Sequence, residues 1–589
     1  MKMYYKIIVF FLLFFSASLV SMAEEIILPT HEIHFEGQHY FDESVLQDAL
    51  GVKTKSFFQF WKKDMPKIED KLLPTLKMSL ENFYDSEGFY DAHFGIKESN
   101  TTVTVNIKEN KPVRISDINV SSDYDLVPLI TLKKGQIFRA KDFIKVKSNI
   151  INSLLQKGYC SYDLDTKAYV DLEKHTVALR YLLAKGDICR FGETNIKGLE
   201  SIEKKIIISR IVAKKGEKFD PKKIKESYNK VYGLDAFDSV MISTDRKFYN
   251  NVPIDITVKE LSKPYHYEVG AGYDTFVGAR VHGLITKRNF LGNAKKITLK
   301  ASWSQKEQLL TLDFFKPLLF TLFDYGIDFG AQVGYSNLEY TGFKEKKTFG
   351  KLYLEHNEGR LNLRAGLGLE NIEISLLDNL ENNQVLKQAV KEGTFTLFYP
   401  YINAVYDARD SKLNPRYGYY LSAYMEYGIP YNAKASAYVK TLLEGRLIHT
   451  FGDLTLAGVA KFGVVDQTKN EVPESKLLFA GGSYFNRAYG YNEIGVILSP
   501  TADSIQGGSS MLNFSFEADY PIWGNLYGAV FTDNTMLTDK SYDFSGEYIN
   551  TAGLGVRYMT PIGPFKLDVG WNIHDTSQYG ISFQIGQSF

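Results

Sequence analysis

The chain has 589 residues, 44% of them hydrophobic, which is long and apolar enough for several folded units and excludes a disordered polymer. Lys and Arg total 69 and Asp and Glu total 69, so no excess of charge points to nucleic acid as a partner. Tyr (39) and Phe (40) far outnumber Trp (4), a bias that suits extended strands and membrane interfaces, and two cysteines are too few for a cysteine zinc cluster or a disulfide framework.

The start of the chain reads as a secretory signal peptide. Lys2 and Lys6 make it basic, Ile7 to Phe15 is wholly apolar, and Ser21-Met22-Ala23 offers small residues at a cleavage point. Residues 1–23 are expected to be removed, leaving Glu24 first. The apolar run is shorter than the ~20 residues that a spanning helix needs, and no later run is longer without interruption.

Residues 24–263 alternate strand patterns with Lys-rich helical ones three times, which divides them into units 24–109, 110–187 and 188–263. In each unit a helical pattern runs into a tight turn: Leu76 to Tyr84 before Gly88, Ile150 to Gln156 before Gly158, and Ile224 to Tyr232 before Ala236-Phe237. Alternating strands follow, carrying Val103, Val105 and Ile107, then Val177, Leu179 and Tyr181, then Ile254, Ile256 and Val258. Period-two alternation implies one face packed on helices and one solvated, and with an opening strand the order becomes β-α-α-β-β.

From residue 264 to 589 helical patterns nearly vanish, and Gly and aromatic residues alternate with polar ones. At about 20 residues per strand and connection, this length suits 16 tilted antiparallel strands closed as a transmembrane β-barrel. In the last segment Ile581, Phe583, Ile585 and Phe589 share one face, while Ser582, Gln584, Gly586 and Ser588 share the other. Together with the signal peptide, that terminal aromatic favours the outer membrane of a Gram-negative bacterium, with the N-terminal units in the periplasm and the lipid bilayer around the barrel.

The unit order and the phrase Ile33-x-Phe35-x-Gly37 resemble the POTRA module of outer-membrane assembly proteins. Four stretches carry the likeness through the rest of the chain: Gly270 to Thr275 with Arg288-Asn289-Phe290-Leu291-Gly292; Asp407-Ala408-Arg409-Asp410 with Asn414 to Gly418; Phe479 to Gly482 with Asn486-Arg487-Ala488-Tyr489; and Gly553 to Tyr558 with Thr560 to Pro564 and Asp568. These are similar to the BamA-like superfamily of POTRA units plus barrel, and three units look most like its TamA branch. The resemblance implies an assembly or translocation factor for unfolded outer-membrane and autotransporter-type clients, with an inner-membrane-anchored TamB-like partner at the first unit. The rival readings are a two-partner secretion pore and a passive porin.

The resemblance also implies that the tip of a long loop, Asn486 to Tyr489, folds back so that Arg487 meets Phe531 and Asp533 on the wall. Asn486, Ala488, Asn534 and Thr535 depart from the family pattern there. It further implies a weak lateral seam between a first strand near Tyr265 to Tyr273 and a last one near Tyr579 to Phe589, opened without nucleotide. Cys160 and Cys189 either bond, stapling the second unit to the third, or remain buried thiols. No Gly-x-Ser-x-Gly, His-Glu-x-x-His or phosphate-loop motif occurs, so no enzyme, cofactor or metal is expected; His31 and His34 would point to opposite faces of a strand.

Overall fold

The computed structural model describes residues 30–52, 67–245, 251–274, 278–323, 325–377, 384–431, 435–467, 472–483, 485–499, 504–560 and 563–585. The signal-peptide segment 1–23, Thr275, Ile562, Gly586 and Phe589 lie outside these residues. Two compact units emerge, one built on the chain up to Glu193 with Lys214–Lys222 and Thr244–Pro253, the other on Thr194–Ala213, Lys223–Ser243 and Ile254 onward.

In the first unit, β1 (Thr30–Glu36), α1 (Glu43–Ala49), β2 (Lys67–Glu69), α2 (Leu73–Ser86), β3 (His93–Glu98) and β4 (Thr102–Lys108) make a sheet of order β2-β1-β4-β3 under two helices. β1 and β4 run parallel, and Ile33, Phe35, Val103, Val105 and Ile107 bury against Leu76, Leu80 and Tyr84 of α2. Burial and a hydrogen bond to Glu109 hold the Tyr84 hydroxyl protonated well beyond its ordinary range. The short strand β2 is additional to the expected order.

The next module contains β5 (Arg114–Ser122), α3 (Ala140–Gln156), β6 (Asp163–Asp171) and β7 (Thr176–Ala184), with sheet order β5-β7-β6. It has one helix where the sequence pattern suggests two. Pro128 interrupts the stretch between β5 and α3, which closes one turn through Leu129 and Ile130 N–H to Leu126 O and continues as coil. Val177, Leu179 and Tyr181 are buried against Val146, Ile150 and Leu154, as alternation requires.

One joint recurs along the modules. Val113 donates to Gly88 O at 2.8 Å and accepts from Phe138 N at 2.9 Å; Cys189 donates to Gly158 O at 2.8 Å and accepts from Phe219 N at 2.9 Å. Gly88 and Gly158 have φ of +95° and +85°, and a side chain on either would run into Phe138 O or Lys218, so glycine is required at both turns. Cys160 and Cys189 are bonded across the second joint, 29 residues apart in sequence.

In the third module, β8 (Phe191–Lys197), α4 (Lys204–Ile208), α5 (Pro221–Tyr232), β9 (Phe237–Thr244) and β10 (Val252–Glu260) give a sheet of order β8-β10-β9 with Ile254, Ile256 and Val258 buried. There follow β11 (Tyr265–Asp274), β12 (Gly278–Lys287), β13 (Lys296–Ser304), β14 (Glu307–Leu322), β15 (Tyr325–Glu339), β16 (Phe343–Glu358), β17 (Leu361–Leu376), α6 (Gln384–Ala389), β18 (Gly393–Asp407), β19 (Tyr417–Pro430), β20 (Tyr438–Phe451) and β21 (Leu454–Gln467). A small loop hairpin, β22 (Val496–Ser499) and β23 (Ser504–Gln506), precedes β24 (Ser510–Trp523), β25 (Leu526–Thr538), β26 (Ile549–Tyr558), β27 (Phe565–Asn572) and β28 (Tyr579–Ile585). All but that hairpin form one 16-stranded antiparallel sheet in chain order, with β21 beside β24.

The turn from β12 to β13 seats on the module that precedes it. Asn289, Leu291, Asn293 and Ala294 all have φ between +51° and +58°, a left-handed conformation costing a non-glycine residue about 1–2 kcal/mol. Hydrogen bonds offset this cost: Asn289 Nδ2 donates to Ser201 Oγ at 2.8 Å, Asn293 Nδ2 to Glu203 Oε1 at 2.8 Å, and Asn293 N to Ser201 O at 3.0 Å. Glu260 in turn accepts the N–H groups of Glu200, Ser201 and Ile202 at 2.8 to 3.1 Å.

The disulfide generates a prediction. Alkylation of the oxidised protein should label no cysteine, and reduction should expose two; on loop-closure entropy for a 29-residue separation, Cys160→Ser with Cys189→Ser should cost the modules about 3–4 kcal/mol in denaturant titration. Two labelled thiols before reduction would refute the bond.

Candidate loop anchor and wall

Along β24 to β28 every second residue faces one side. Asn513, Ser515, Glu517, Phe531, Asp533, Thr535, Thr551, Arg557, Lys566, Asp568 and Ser582 are buried, while the intervening Phe516, Val530, Leu554, Val556, Leu567 and Phe583 are exposed. Ionisable residues therefore lie on the face that Phe485 to Tyr489 of the loop approach, and the opposite face is apolar. That polarity suits hydrocarbon outside and a polar interior.

The loop turns back at Gly481-Gly482, where Gly482 N–H bonds Tyr489 O at 2.9 Å and Asn486 N–H bonds Gly482 O at 3.1 Å. This turn sends Arg487 into the wall. Its Nε and Nη2 each lie 2.9 Å from a different oxygen of Asp533, and its backbone N–H reaches Asp533 Oδ2 at 3.0 Å. Nη1 bonds Glu517, Asp568 Oδ2 lies 3.6 Å from Nη1, and the guanidinium carbon sits 3.3 Å from the Phe531 ring centroid. A planar fork that grips a carboxylate with two bonds and stacks on a ring is beyond what Lys can offer.

The network extends past the three residues named from sequence. Arg557 Nη1 lies 2.5 Å from Asp568 Oδ1 and its Nη2 3.1 Å from Glu517 Oε2, while Lys566 Nζ is 3.8 Å from Glu517 Oε1. Three cations thus face Glu517, Asp533 and Asp568, with Asp519 4.0 Å from Arg557 Nε. Sequence reasoning assigns no role to Glu517, Arg557 or Lys566, because a charged residue at alternate positions of a barrel strand is the ordinary signature of a polar interior.

Two of the positions that depart from the expected pattern, Asn486 and Thr535, meet in one polar cluster. Asn486 Oδ1 accepts from Thr551 Oγ1 at 2.6 Å, its Nδ2 faces Thr535 Oγ1 at 3.4 Å, and Asn513 Nδ2 donates to Thr535 Oγ1 at 2.9 Å. Ala488 is wholly buried. The loop backbone at Arg487 and Ala488 passes so close to Gly570 that a Cβ there would stand 3.1 Å from the Arg487 carbonyl carbon.

Loop and last hairpin are also tied. Asn572 Nδ2 donates to the Tyr489 hydroxyl at 2.7 Å, and Gln578 Nε2 to Ala488 O at 2.9 Å. β11 and β28 end the sheet order, with Cα atoms within 8 Å of each other. Tyr265 is exposed, 6.4 Å from Tyr267 by ring centroids; Tyr273 pairs with Ala279 and Tyr579 with Trp571. Among the mid-wall residues, Arg409 Nε and Nη2 each lie 2.9 Å from Asp407, and Arg416 Nη2 donates to the Tyr527 hydroxyl at 2.7 Å.

Comparison with known proteins follows this geometry. The Omp85 superfamily domain matches residues 289–589, and the POTRA repeat, described as a surface antigen variable number repeat, matches 30–110 and 111–186. The chain is 22% identical to the outer membrane protein assembly factor BamA of Nitratidesulfovibrio vulgaris over 98% of its own length and 75% of that protein. It is 21% identical to BamA of Neorickettsia risticii over 91% and 74%. The crystal structure of BamA from Haemophilus ducreyi lacking POTRA domains 1–3 superposes with a TM-score of 0.56 at 18% identity, covering 81% of this chain and all of that one.

Removing one partner of a buried ion pair costs about 3–5 kcal/mol because the other charge is stranded. Arg487→Met should therefore lower the temperature at which the folded wall unfolds on a gel-shift melt, and Arg487→Lys should recover only part of the loss. A wild-type melting point for Arg487→Lys would show that the fork and the ring contact do not matter.

Proposed function

Because the chain belongs to the Omp85 superfamily, we propose that it inserts or translocates other outer-membrane and secreted proteins through a lateral seam between β11 and β28, without nucleotide. It is an outer-membrane protein with periplasmic N-terminal modules, it acts in membrane-protein biogenesis or translocation, and it is not an enzyme.

One observation carries the seam. β11 and β28 stand at the two ends of the sheet order, with Cα atoms within 8 Å of each other. The strands flanking that junction are also short. β13, β26 and β27, whose ends lie among the described residues, have 9, 10 and 8 residues, against 14 to 16 from β14 to β21.

An unpaired amide or carbonyl in hydrocarbon costs several kcal/mol, so an incoming strand that pairs with either edge is stabilised as it enters. Nucleotide hydrolysis is then unnecessary. The tie from Ala488 and Tyr489 to Gln578 and Asn572 holds the last hairpin while its outer edge parts. Within the superfamily, three periplasmic modules favour the TamA branch, an inner-membrane-anchored TamB-like partner at the first module, and autotransporter-type clients. Passage through the interior, as a secretion pore or porin would use, is disfavoured by the anchored loop on that face.

Two tests follow. A panel of cysteine pairs across β11 and β28 should stop client insertion when oxidised and restore it on reduction, relative to wild type treated alike; full activity of a quantitatively cross-linked pair would refute the seam. Deleting residues 30–108 should abolish co-purification of the inner-membrane partner while the heat-dependent gel shift of the wall persists. Unchanged co-purification would remove the first module from partner binding.

A further inference from the structure

The loop that carries Arg487 meets the wall at a second place. In its stem, Glu474–Lys476 forms a single 3-10 turn, and Glu474 accepts the Gly507 N–H of the returning leg. The two legs are stitched together by Leu478 and Gly508, whose N–H groups bond each other's carbonyls at 2.8 and 2.7 Å. That turn directs Lys476 into the sheet. Its Nζ lies 2.6 Å from Glu370 Oε2 on β17, 3.6 Å from Glu426 Oε1 on β19 and 4.7 Å from the Tyr399 ring centroid on β18.

The receiving carboxylates are themselves fixed. The Tyr399 hydroxyl donates to Glu370, those of Tyr424 and Tyr438 donate to Glu426, and Lys440 Nζ on β20 donates to the backbone carbonyl of Lys476 at 2.9 Å. The Lys476 side chain is only 10% exposed. A lysine on an ordinary loop keeps its ammonium in water; four neighbouring strands converge on this one. Beside it, Leu478, Phe479 and Ile494 of the loop pack with Phe343, Ile372 and Phe395 of the wall.

We infer that Lys476 is a second positioning residue, so that the loop is a strut fixed to β17–β20 by Lys476 and to β24–β27 by Arg487, and that this strut keeps the interior shut to ions and polypeptide. The inference rests on reading the sheet as a closed wall. Its physical basis is that two buried ionic anchors on separate sectors restrain a loop far more than one. Release of either leaves a hinged segment that can swing out of the interior.

The test uses the full chain in planar bilayers without client, comparing Lys476→Met, Lys476→Arg and the wild type. Lys476→Met should raise the conductance several-fold, and Lys476→Arg should return it to the wild-type level because a guanidinium can bridge Glu370 and Glu426. Adding Glu370→Gln and Glu426→Gln to Lys476→Met should leave the leak in place, since the lost tether and not stray charge opens the interior. Wild-type conductance from folded Lys476→Met, or failure of Lys476→Arg to reseal it, overturns the strut. Should Lys476→Met not fold, the double variant Glu370→Gln with Glu426→Gln, which removes both carboxylates that face Lys476, is read the same way. Heat-dependent gel mobility separates the two levels: a wild type without a heat shift refutes the closed wall, whereas a heat-shifting Lys476→Met with unchanged conductance refutes the strut alone.

Discussion

A strand crossing a bilayer has no water to satisfy its backbone, so each N–H and C=O must find a neighbouring strand. This constraint organises the second half of the chain. Fourteen of the sixteen strands have a partner on both sides in the sheet order, and the remaining two, β11 and β28, stand at its ends, where the seam is proposed. The same constraint also sorts side chains. Leu367, Leu447, Phe516 and Val530 are left exposed on the apolar face, and the charges gather on the other, because an ionised group facing lipid would cost several kcal/mol at mid-depth.

Once charges are confined to one face, their use is geometric more than energetic. A buried ion pair returns little net stability over an apolar pair of similar volume, since desolvation cancels much of the attraction. What it gives is uniqueness: Arg487 can satisfy two bonds to Asp533, one to Glu517 and a stack on Phe531 in only one pose. The polar set Asn486, Asn513, Thr535 and Thr551 works likewise, each member meeting at least one other. A loop held only by apolar contact would slide; one held by such networks has a single seat.

Much of this was legible in the sequence, and the limits are physical. Alternation at Val103, Val177 and Ile254 marked the buried strands of three modules, because a half-buried sheet enforces a period of two whatever its neighbours are. The length after residue 264 implied the strand number. The meeting of Arg487 with Phe531 and Asp533 was readable only through family resemblance, since nothing local encodes a contact across a separation of 46 residues. The second helix expected of the second module does not form, because Pro128 interrupts the stretch between β5 and α3. Lys476 and Glu517 escaped because one lysine in a loop or one glutamate in a strand has the same pattern signature as a solvated charge; only the fold shows that Glu370, Glu426 and Arg557 await them.

The two sides of the junction between β11 and β28 are held by different bodies. On the first side, Arg288 closes the β12–β13 turn onto the preceding module through Asp235 at 3.1 Å and the Lys263 carbonyl at 2.9 Å, and the left-handed residues Asn289 and Asn293 add Ser201 and Glu203. On the other side, Asn572 and Gln578 fasten the last hairpin to the loop tip. Left-handed backbone at Leu291 and Ala294 persists only where surrounding bonds over-determine it, so the first attachment is rigid by construction. The second combines two neutral hydrogen bonds, each worth about 1 kcal/mol net, with the approach of Arg487 at the loop tip to Asp568 on β27. In the seam proposed above, β11 would be braced through β12 against the preceding module and β28 through β27 against the loop tip, so that parting them would load both attachments.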